Sequence, residues 1–497
     1  MATTLKFDLL PEVADFLSKG PLEGIVGGQA VASSKGETFT TVDPGSGEVL
    51  AEVHAMQADD VDRAVQAAAR AFTSTKWARL SPNDRGAMLH RLADEVERRK
   101  PIIAQIESLD CGKVYAQAAG DVQNFIDTMR YFVEMSLHVE PRTTLAVPRH
   151  EAWTARRPWG PCAFVFPWNF PFLLAGWGIS PALAAGNTVV IKPAEDTPLS
   201  TIYLGRLAKE VGIPDGVINV VPGFGETTGA ALASHPGLKR MSFTGSPEVG
   251  RLVATACGAN LVPVKLELGG KGAAVVFNDV DIDDTATKLA QAITFHTGQV
   301  CCDATRWLIH ESIYPEMVNA CTEKLRRVVV GHELDAGTQM GPVVSEKQRK
   351  RVLGYLERGL AEGAEVVLEG GPAEVSGRNG FYVKPALLAG SLNNVAAREE
   401  IFGPVAYLTS FRDEDQAVAM VNDTDYGLAN SVWTTDPARA SRVAEAMVAG
   451  NSWINAHNLF PHGVPYGGVN KSGMGGGVLS VDTLMDYYRS TSVVRPL

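Results

Sequence analysis

The sequence predicts an α/β protein centred on a parallel sheet with helices on its faces. Three observations carry that expectation. From Cys162 onward, short β-rich runs alternate with helical segments at roughly 25-residue spacing, the pattern of βαβ units. Glycine-bearing turns join strand to helix at Gly223-Phe224-Gly225, with Gly229, and at Phe243-Thr244-Gly245-Ser246. A second alternating region then runs from about Ala273 to Asn455.

In chain order, the first 140 residues read as mainly helical. Asp59 and Asp60 open the apolar-periodic run Val61–Phe72. Ser81-Pro82 supplies an N-cap followed by proline at the first helical position, and Pro101 interrupts or kinks the helix that follows. The polar stretch Pro141–Arg157 reads as a projecting hairpin. Strands are expected at Ala163–Phe166, Thr188–Ile191, Val217–Val221, Arg240–Phe243 and Pro263–Leu268, with helices at Phe172–Ala185, Leu199–Val211, Thr227–Ser234 and Pro247–Cys257. Right-handed crossovers place ligands outside the carboxyl ends of such strands, so this region reads as a dinucleotide-binding fold. Further helices are expected at Ile282–Phe295, Glu346–Glu362 and Asp415–Asn422. Gly370-Gly371-Pro372 and Ser376–Gly380 read as loops, and Gly467–Gly477 as a tight loop on the catalytic side.

Composition narrows the function classes. With 497 residues, 45% hydrophobic and 20% charged, the chain has the balance of a large soluble protein of several domains. A net charge of −11 with no long basic run argues against nucleic acid. Phe170–Ile191 is broken by Pro171, Pro181, Gly186 and Asn187, so it reads as a buried helix and strand and not a membrane span. Met1–Gly20 carries Asp8, Glu12 and Asp15 without a signal-peptide core, and six cysteines are too few for a disulfide scaffold. A cytoplasmic protein is the expectation.

Several residues have the chemistry of a site. In Gly298-Gln299-Val300-Cys301-Cys302 the flanking Gly and Gln suit an exposed turn presenting a thiolate, although a lone cysteine is more often a small buried hydrophobe. No CxxC or CxxH spacing accompanies it, so no metal is expected. Glu267 stands in the apolar strand Leu266-Glu267-Leu268-Gly269-Gly270, where burial would raise its pKa toward that of a general base; the alternative is an outward residue on an edge strand. Asn169, at a strand-to-helix turn, could donate to an oxyanion, but by itself reads better as a helix cap. Lys192 and Glu195 end a strand, either as a ribose-binding pair or as a solvated charge pair. Gly225 belongs to a turn that alone reads simply as tight βα geometry. Ser246 offers a helix N-terminus to an anion.

Taken together, these segments resemble the aldehyde dehydrogenase superfamily over nearly the whole chain. The resemblance rests on six motifs in order: Phe166-Pro167-Trp168-Asn169-Phe170-Pro171, Ile191–Glu195, Phe243–Ser246, Leu266–Lys271, Gly298–Cys301 and Glu399–Val405. It implies that Cys301 is the nucleophile with Cys302 a bystander. Asn169 and the Cys301 N–H would form the oxyanion hole, and Glu267 would activate water. It further implies a dinucleotide site at Phe166, Trp168, Lys192, Glu195, Gly225, Phe243, Gly245, Ser246, Leu268, Glu400 and Phe402. A substrate tunnel would be lined by Phe170, Leu174, Trp177, Val300, Cys302, Phe460 and Tyr466, with Phe295 and Asp303 nearby and Asp303 or His462 as a recogniser of a polar tail.

The implied cofactor is NAD, since Glu195 would repel the 2′-phosphate of NADP, although relatives with dual use exist. The implied fold is a Rossmann-type NAD domain (1–140 and 158–268), an α/β catalytic domain (269–465) and a β oligomerisation arm (141–157 and 480–497). The implied partners are a small-molecule aldehyde and further copies of the chain, as a dimer or homotetramer. Two alternatives stay open: a relative that passes the acyl group to CoA, and a non-catalytic structural relative. One departure stands out. Many relatives carry a Lys just after the residue equivalent to Trp177 and a Glu in the C-terminal glycine-rich loop, where this chain has Gly178 and Gly477. With both absent, the expectation is that Glu267 releases its proton through water or backbone.

Overall fold

The computed structural model describes residues 9–74 and 77–497, so Asp8 lies outside the described residues. The five strands expected after Cys162 form at Pro161–Val165, Thr188–Lys192, Ile218–Val220, Arg240–Thr244 and Val264–Glu267. All pair in parallel. Pro161–Val165 lies in the middle of these five; the chain first builds outward on one side, then crosses to Arg240–Thr244 on the other. That reversal opens a crevice at the carboxyl ends of the two strands, where a dinucleotide-binding sheet receives its ligand.

The connecting helices follow the sequence closely. Pro171–Ala185 is buried at every position except Leu174. Such an all-round apolar helix can only be central, since each fully buried large apolar side chain contributes about 1.5–3 kcal/mol. It continues into the fully buried strand Thr188–Lys192, and among the described residues no helix is long and apolar enough to cross a membrane. The Ser81 hydroxyl caps Pro82–Arg98 by accepting from Asp84 N–H at 3.1 Å. Pro101 sits in the first turn of the next helix, Lys100–Cys111, so the interruption falls where proline predicts it.

Three expectations need correction. The first 140 residues are not simply helical: Gly24–Val26 and Gln29–Val31 pair with each other and extend the parallel sheet, and Thr38–Val42 pairs with Val49–His54. The first two strands have three residues each, too short to register an alternating pattern. Gly371-Pro372 is not loop but pairs with Val383–Lys384. Within Gly467–Gly477, Gly473–Met474 adds an antiparallel strand beside Val264–Glu267. Glu267 therefore lies on an interior strand and not on an edge.

A second, seven-stranded sheet contains Gly272–Val276, Ala304–His310, Ala386–Ala389, Val405–Phe411, Ala429–Trp433 and Asn451–Ile454, with antiparallel Glu365–Leu368 at one edge. The segment Leu268–Lys271 crosses from the first sheet to this one. The hairpin Arg142–Val147 and His150–Pro158 pairs along its length with the C-terminal strand Tyr488–Pro496. This three-stranded ribbon joins the two segments expected to form an arm, and among the described residues no further strand pairs with its outer strands.

Candidate active site

The nucleophile loop is shaped by unusual backbone. His296, Thr297 and Gly298 hold φ of 44°, 57° and 68°, a left-handed run that only the glycine adopts without strain. Side chains and neighbouring backbone hold it in place. The Gln117 carboxamide accepts from His296 N–H at 3.2 Å, and Thr297 Oγ1 donates to Gly341 C=O at 2.9 Å. Gln299 donates to His296 C=O and accepts from Val344 N–H. A Cβ at Gly298 would lie 2.4 Å from the Gly403 carbonyl, so this glycine lets the Cys301 loop touch the loop bearing Glu400 and Phe402. The expected exposed turn is therefore wrong: Gly298, Gln299 and Val300 are buried, and only Cys301 is partly accessible.

Around Cys301 the expected groups converge. Its sulfur lies 3.4 Å from the Tyr466 hydroxyl. The Cys302 thiol and that hydroxyl hold Cys301 below the ordinary thiol range, against burial. The Cys302 thiol, its own pKa pushed up by burial, donates to Asn458 Oδ1 at 3.3 Å. Burial keeps Tyr466 protonated, so its hydroxyl remains a donor. Asn169 does not cap the following helix; its Nδ2 donates to Gln299 C=O at 2.9 Å, fixing the amide against the nucleophile loop.

Glu267 ends its strand with both carboxylate oxygens buried and outside hydrogen-bonding geometry. Burial pushes its pKa well above the carboxylate range, opposed by Lys265 and the Gly468 N–H. The glycine pair after it is needed for approach: a Cβ at Gly269 would meet Glu400 Oε2 at 2.2 Å, and one at Gly270 the Cys301 carbonyl at 2.5 Å. Leu268 donates its N–H to Ser472 C=O at 2.9 Å and packs under Gly250.

Several of the groups expected to hold a dinucleotide stand at or just beyond the carboxyl ends of the first sheet's strands. Lys192 Nζ pairs with Glu195 at 2.9 Å; burial opposes it, but Lys192 and the Gly225 backbone keep Glu195 ionised. Phe166 stacks on Phe164 at 5.9 Å beside the Trp168-Asn169 turn. Phe243 and Gly245 end the neighbouring strand, and the Ser246 hydroxyl caps its helix by accepting from Val249 N–H. Glu400 accepts from Gly270 N–H at 3.0 Å, and burial raises its pKa to about 7. Phe402 has a left-handed φ of 64° and meets Trp168 edge-on at 5.2 Å. Gln348 and Arg351, which sequence reasoning missed, hold this loop through the Glu400, Ile401 and Phe402 carbonyls.

The seven tunnel residues gather in one apolar cluster with Cys301: Phe170, Leu174, Trp177, Val300, Cys302, Phe460 and Tyr466, with Phe295 beside them. Phe170, Phe295 and Phe460 also wall a cavity of about 660 Å³ whose polar margin includes Gln117, Asn124 and His457. Beneath Phe170 lies the buried ammonium of Lys113, 3.8 Å from the ring centroid and paired with Asp121. Asp303 does not line this cavity, and burial raises its pKa well above the carboxylate range; His462 is bound to Thr128 at 2.9 Å.

One buried cluster outside the site, Asp43, His332 and Glu333, brings three ligand-type atoms within 4.8 Å. His332 Nδ1 accepts from Leu334 N–H at 3.1 Å, so Nε2 carries the proton and faces Asp43 at 3.1 Å. That tautomer suits a proton-sharing network and not a cation.

A dinucleotide-type sheet, a tempered thiol and a buried carboxylate at the junction of two sheets define an oxidoreductase of the thiol-dependent kind. Comparison with known proteins makes this particular. The profile of the aldehyde dehydrogenase family matches residues 31–493. Human retinal dehydrogenase 2 is 41% identical over 447 residues, 89% of this chain and 86% of its own. An aldehyde dehydrogenase of Emericella nidulans is 40% identical over 457 residues, 92% and 91% of the two chains. Betaine aldehyde dehydrogenase of Staphylococcus aureus, solved in complex with NAD+, superposes with a TM-score of 0.94 at 31% identity, covering 97% of this chain and 96% of that one. The chain belongs to the aldehyde dehydrogenase family.

Proposed function

We propose that this chain oxidises an aldehyde to a carboxylic acid with NAD, through a thioester on Cys301. The observation that carries the reading is the meeting of Cys301, Asn169 and Glu267 where the two sheets join: the Asn169 amide is bound to the Cys301 loop through Gln299, and the buried Glu267 carboxylate feels the charge of the Cys301 sulfur. Cys301 attacks the carbonyl carbon, and the Asn169 amide with the Cys301 N–H stabilises the resulting alkoxide. NAD, when bound, supplies the hydride acceptor. Lys192 and Glu195 would hold its adenosine ribose, with Phe166, Trp168, Gly225, Phe243, Gly245, Ser246 and Leu268 along its length. Glu400 and Phe402 would position the nicotinamide end. The ionised Glu195 disfavours the 2′-phosphate of NADP. Glu267 then takes a proton from water, and the hydroxide cleaves the thioester.

The buried Glu267 supports water over CoA as acyl acceptor, and the assembled site argues against a merely structural relative. Aromatic walls around the cavity support an apolar or cationic aldehyde. Residues 1–140 with 158–268 are read as the NAD domain, 269–465 as the catalytic domain, and 141–157 with 480–497 as an oligomerisation arm. The open edges of that ribbon support a dimer or homotetramer. All six cysteines are free thiols, which supports a cytoplasmic location. A panel of aliphatic, aromatic, amino- and semialdehydes assayed with NAD and NADP tests the reading. Acid formed without CoA supports it; no NADH from any aldehyde contradicts it.

A further inference from the structure

Glu267, read as the base above, must discard one proton per turnover, yet its carboxylate is buried. The two places where relatives carry a Lys and a Glu are closed to side chains here. A Cβ at Gly178 would lie 2.8 Å from Phe166 Cζ and 2.9 Å from Phe164 Cδ1, and one at Gly477 would lie 2.5 Å from the Tyr466 carbonyl oxygen. A lysine nevertheless reaches the region. Lys265 precedes Glu267 by two residues on the same strand, so both side chains rise from one face. Lys265 is fully buried; its ammonium donates to Gly477 C=O at 2.5 Å and pairs with Asp486 at 2.9 Å. Beside the expected release through water or backbone, this ammonium therefore offers a second route.

Asp486 ends the Val481–Asp486 helix with its side chain 35% exposed, and it also meets Arg240 at 3.3 Å. The groups facing this path are Glu267 on the same strand, Arg240 on the neighbouring strand, Asp486 and Tyr487 from the C-terminal segment, and Cys301 on the far side of Glu267. Burial lowers the proton affinity of Lys265, while Asp486 restores part of it. Three rotatable donors on a flexible stem suit such a group to exchange protons.

We propose that Lys265 and Asp486 form the exit through which the proton collected by Glu267 reaches solvent. The Lys265 ammonium gives a proton to the Asp486 carboxylate, which passes it to water. The neutral amine then takes the proton from the Glu267 acid by way of a water between them, since no hydrogen bond joins the two side chains directly, restoring one carboxylate and one ammonium. Only O–H and N–H bonds form and break, no electrons are transferred, and one proton leaves per turnover. Lys265 and Asp486 act through Glu267 and are positioning residues.

The test compares wild type, Asp486→Asn, Lys265→Met and Glu267→Gln by rapid-mixing and steady-state NADH formation across pH. Folding is checked by circular dichroism. Asp486→Asn is expected to keep the burst of NADH while its steady-state rate falls by about 10- to 100-fold and recovers as imidazole buffer is raised. Lys265→Met should do the same and move the rising limb of the rate to higher pH, because the ionised Glu267 loses its nearest cation. Should Lys265→Met fail to fold, Asp486→Asn decides alone. A folded Asp486→Asn with wild-type steady-state rate and no buffer dependence overturns the exit, whereas normal turnover in Glu267→Gln overturns the base itself.

Discussion

The Asn169 amide donates to the Gln299 carbonyl at 2.9 Å, so the candidate oxyanion donor is fastened to the loop that carries the nucleophile. Replacing Asn169 by Ala removes the donor and this tether together. The turnover number should fall by about 10²–10³-fold, the usual loss for one oxyanion donor, in a protein that still folds. Near-wild-type turnover in a folded Asn169→Ala protein would remove the residue from the mechanism.

A second expectation concerns the Cys301 thiol. The adjacent Cys302 side chain and, secondly, the Tyr466 hydroxyl hold its pKa down. Alkylation by iodoacetamide, followed against pH, should therefore shift to higher pH in Cys302→Ala and by less in Tyr466→Phe. The reverse order, or no shift in either, would show that other groups ionise the sulfur.

Glu400 gives a pH dependence with a definite sign. Burial raises its pKa to about 7, so the carboxylate is increasingly ionised above that value. An ionised carboxylate accepts more strongly from ribose hydroxyls, and NAD should bind more tightly as pH rises from about 6 to about 8. Titration by isothermal calorimetry should show that slope in wild type and lose it in Glu400→Gln. Stability runs the other way. A folded pKa above the unfolded one favours the protonated protein, and this contribution disappears as pH rises through about 7. The melting temperature of Glu400→Gln should therefore decline less across that range.

How much of this was legible in the sequence depends on range. Phe166–Pro171, Lys192, Glu195 and Cys301 sit in local strand–turn–helix patterns that were legible as such, but by themselves these admitted a cap, a solvated charge pair and a buried thiol; only the six motifs in order, by resemblance, singled the residues out. Lys265 could not be singled out even so: in Pro263-Val264-Lys265-Leu266-Glu267 it looks like an ordinary alternating strand residue. Its meaning comes from Gly477 and Asp486, which only the fold brings beside it. His296 and Thr297 gave no sign of left-handed backbone, because neither is glycine and the contacts that hold them come from Gln117 and Gly341. The strands Gly24–Val26 and Gln29–Val31 escaped because three residues carry too little periodicity. Asn169 looked like a cap since its real partner, Gln299, lies far along the chain.

The central claim is that the acyl group resides on Cys301 and that Glu267 activates the water that removes it. Glu267→Gln should stall at that stage, so acid-quenched enzyme mixed with NAD and an aldehyde can be digested and its peptides weighed. The account predicts one acyl group on the peptide bearing Cys301, formed together with one NADH, and none in the double variant Glu267→Gln, Cys301→Ser. An acyl group confined to Cys302, or NADH formed at the wild-type rate by Cys301→Ser, would contradict it.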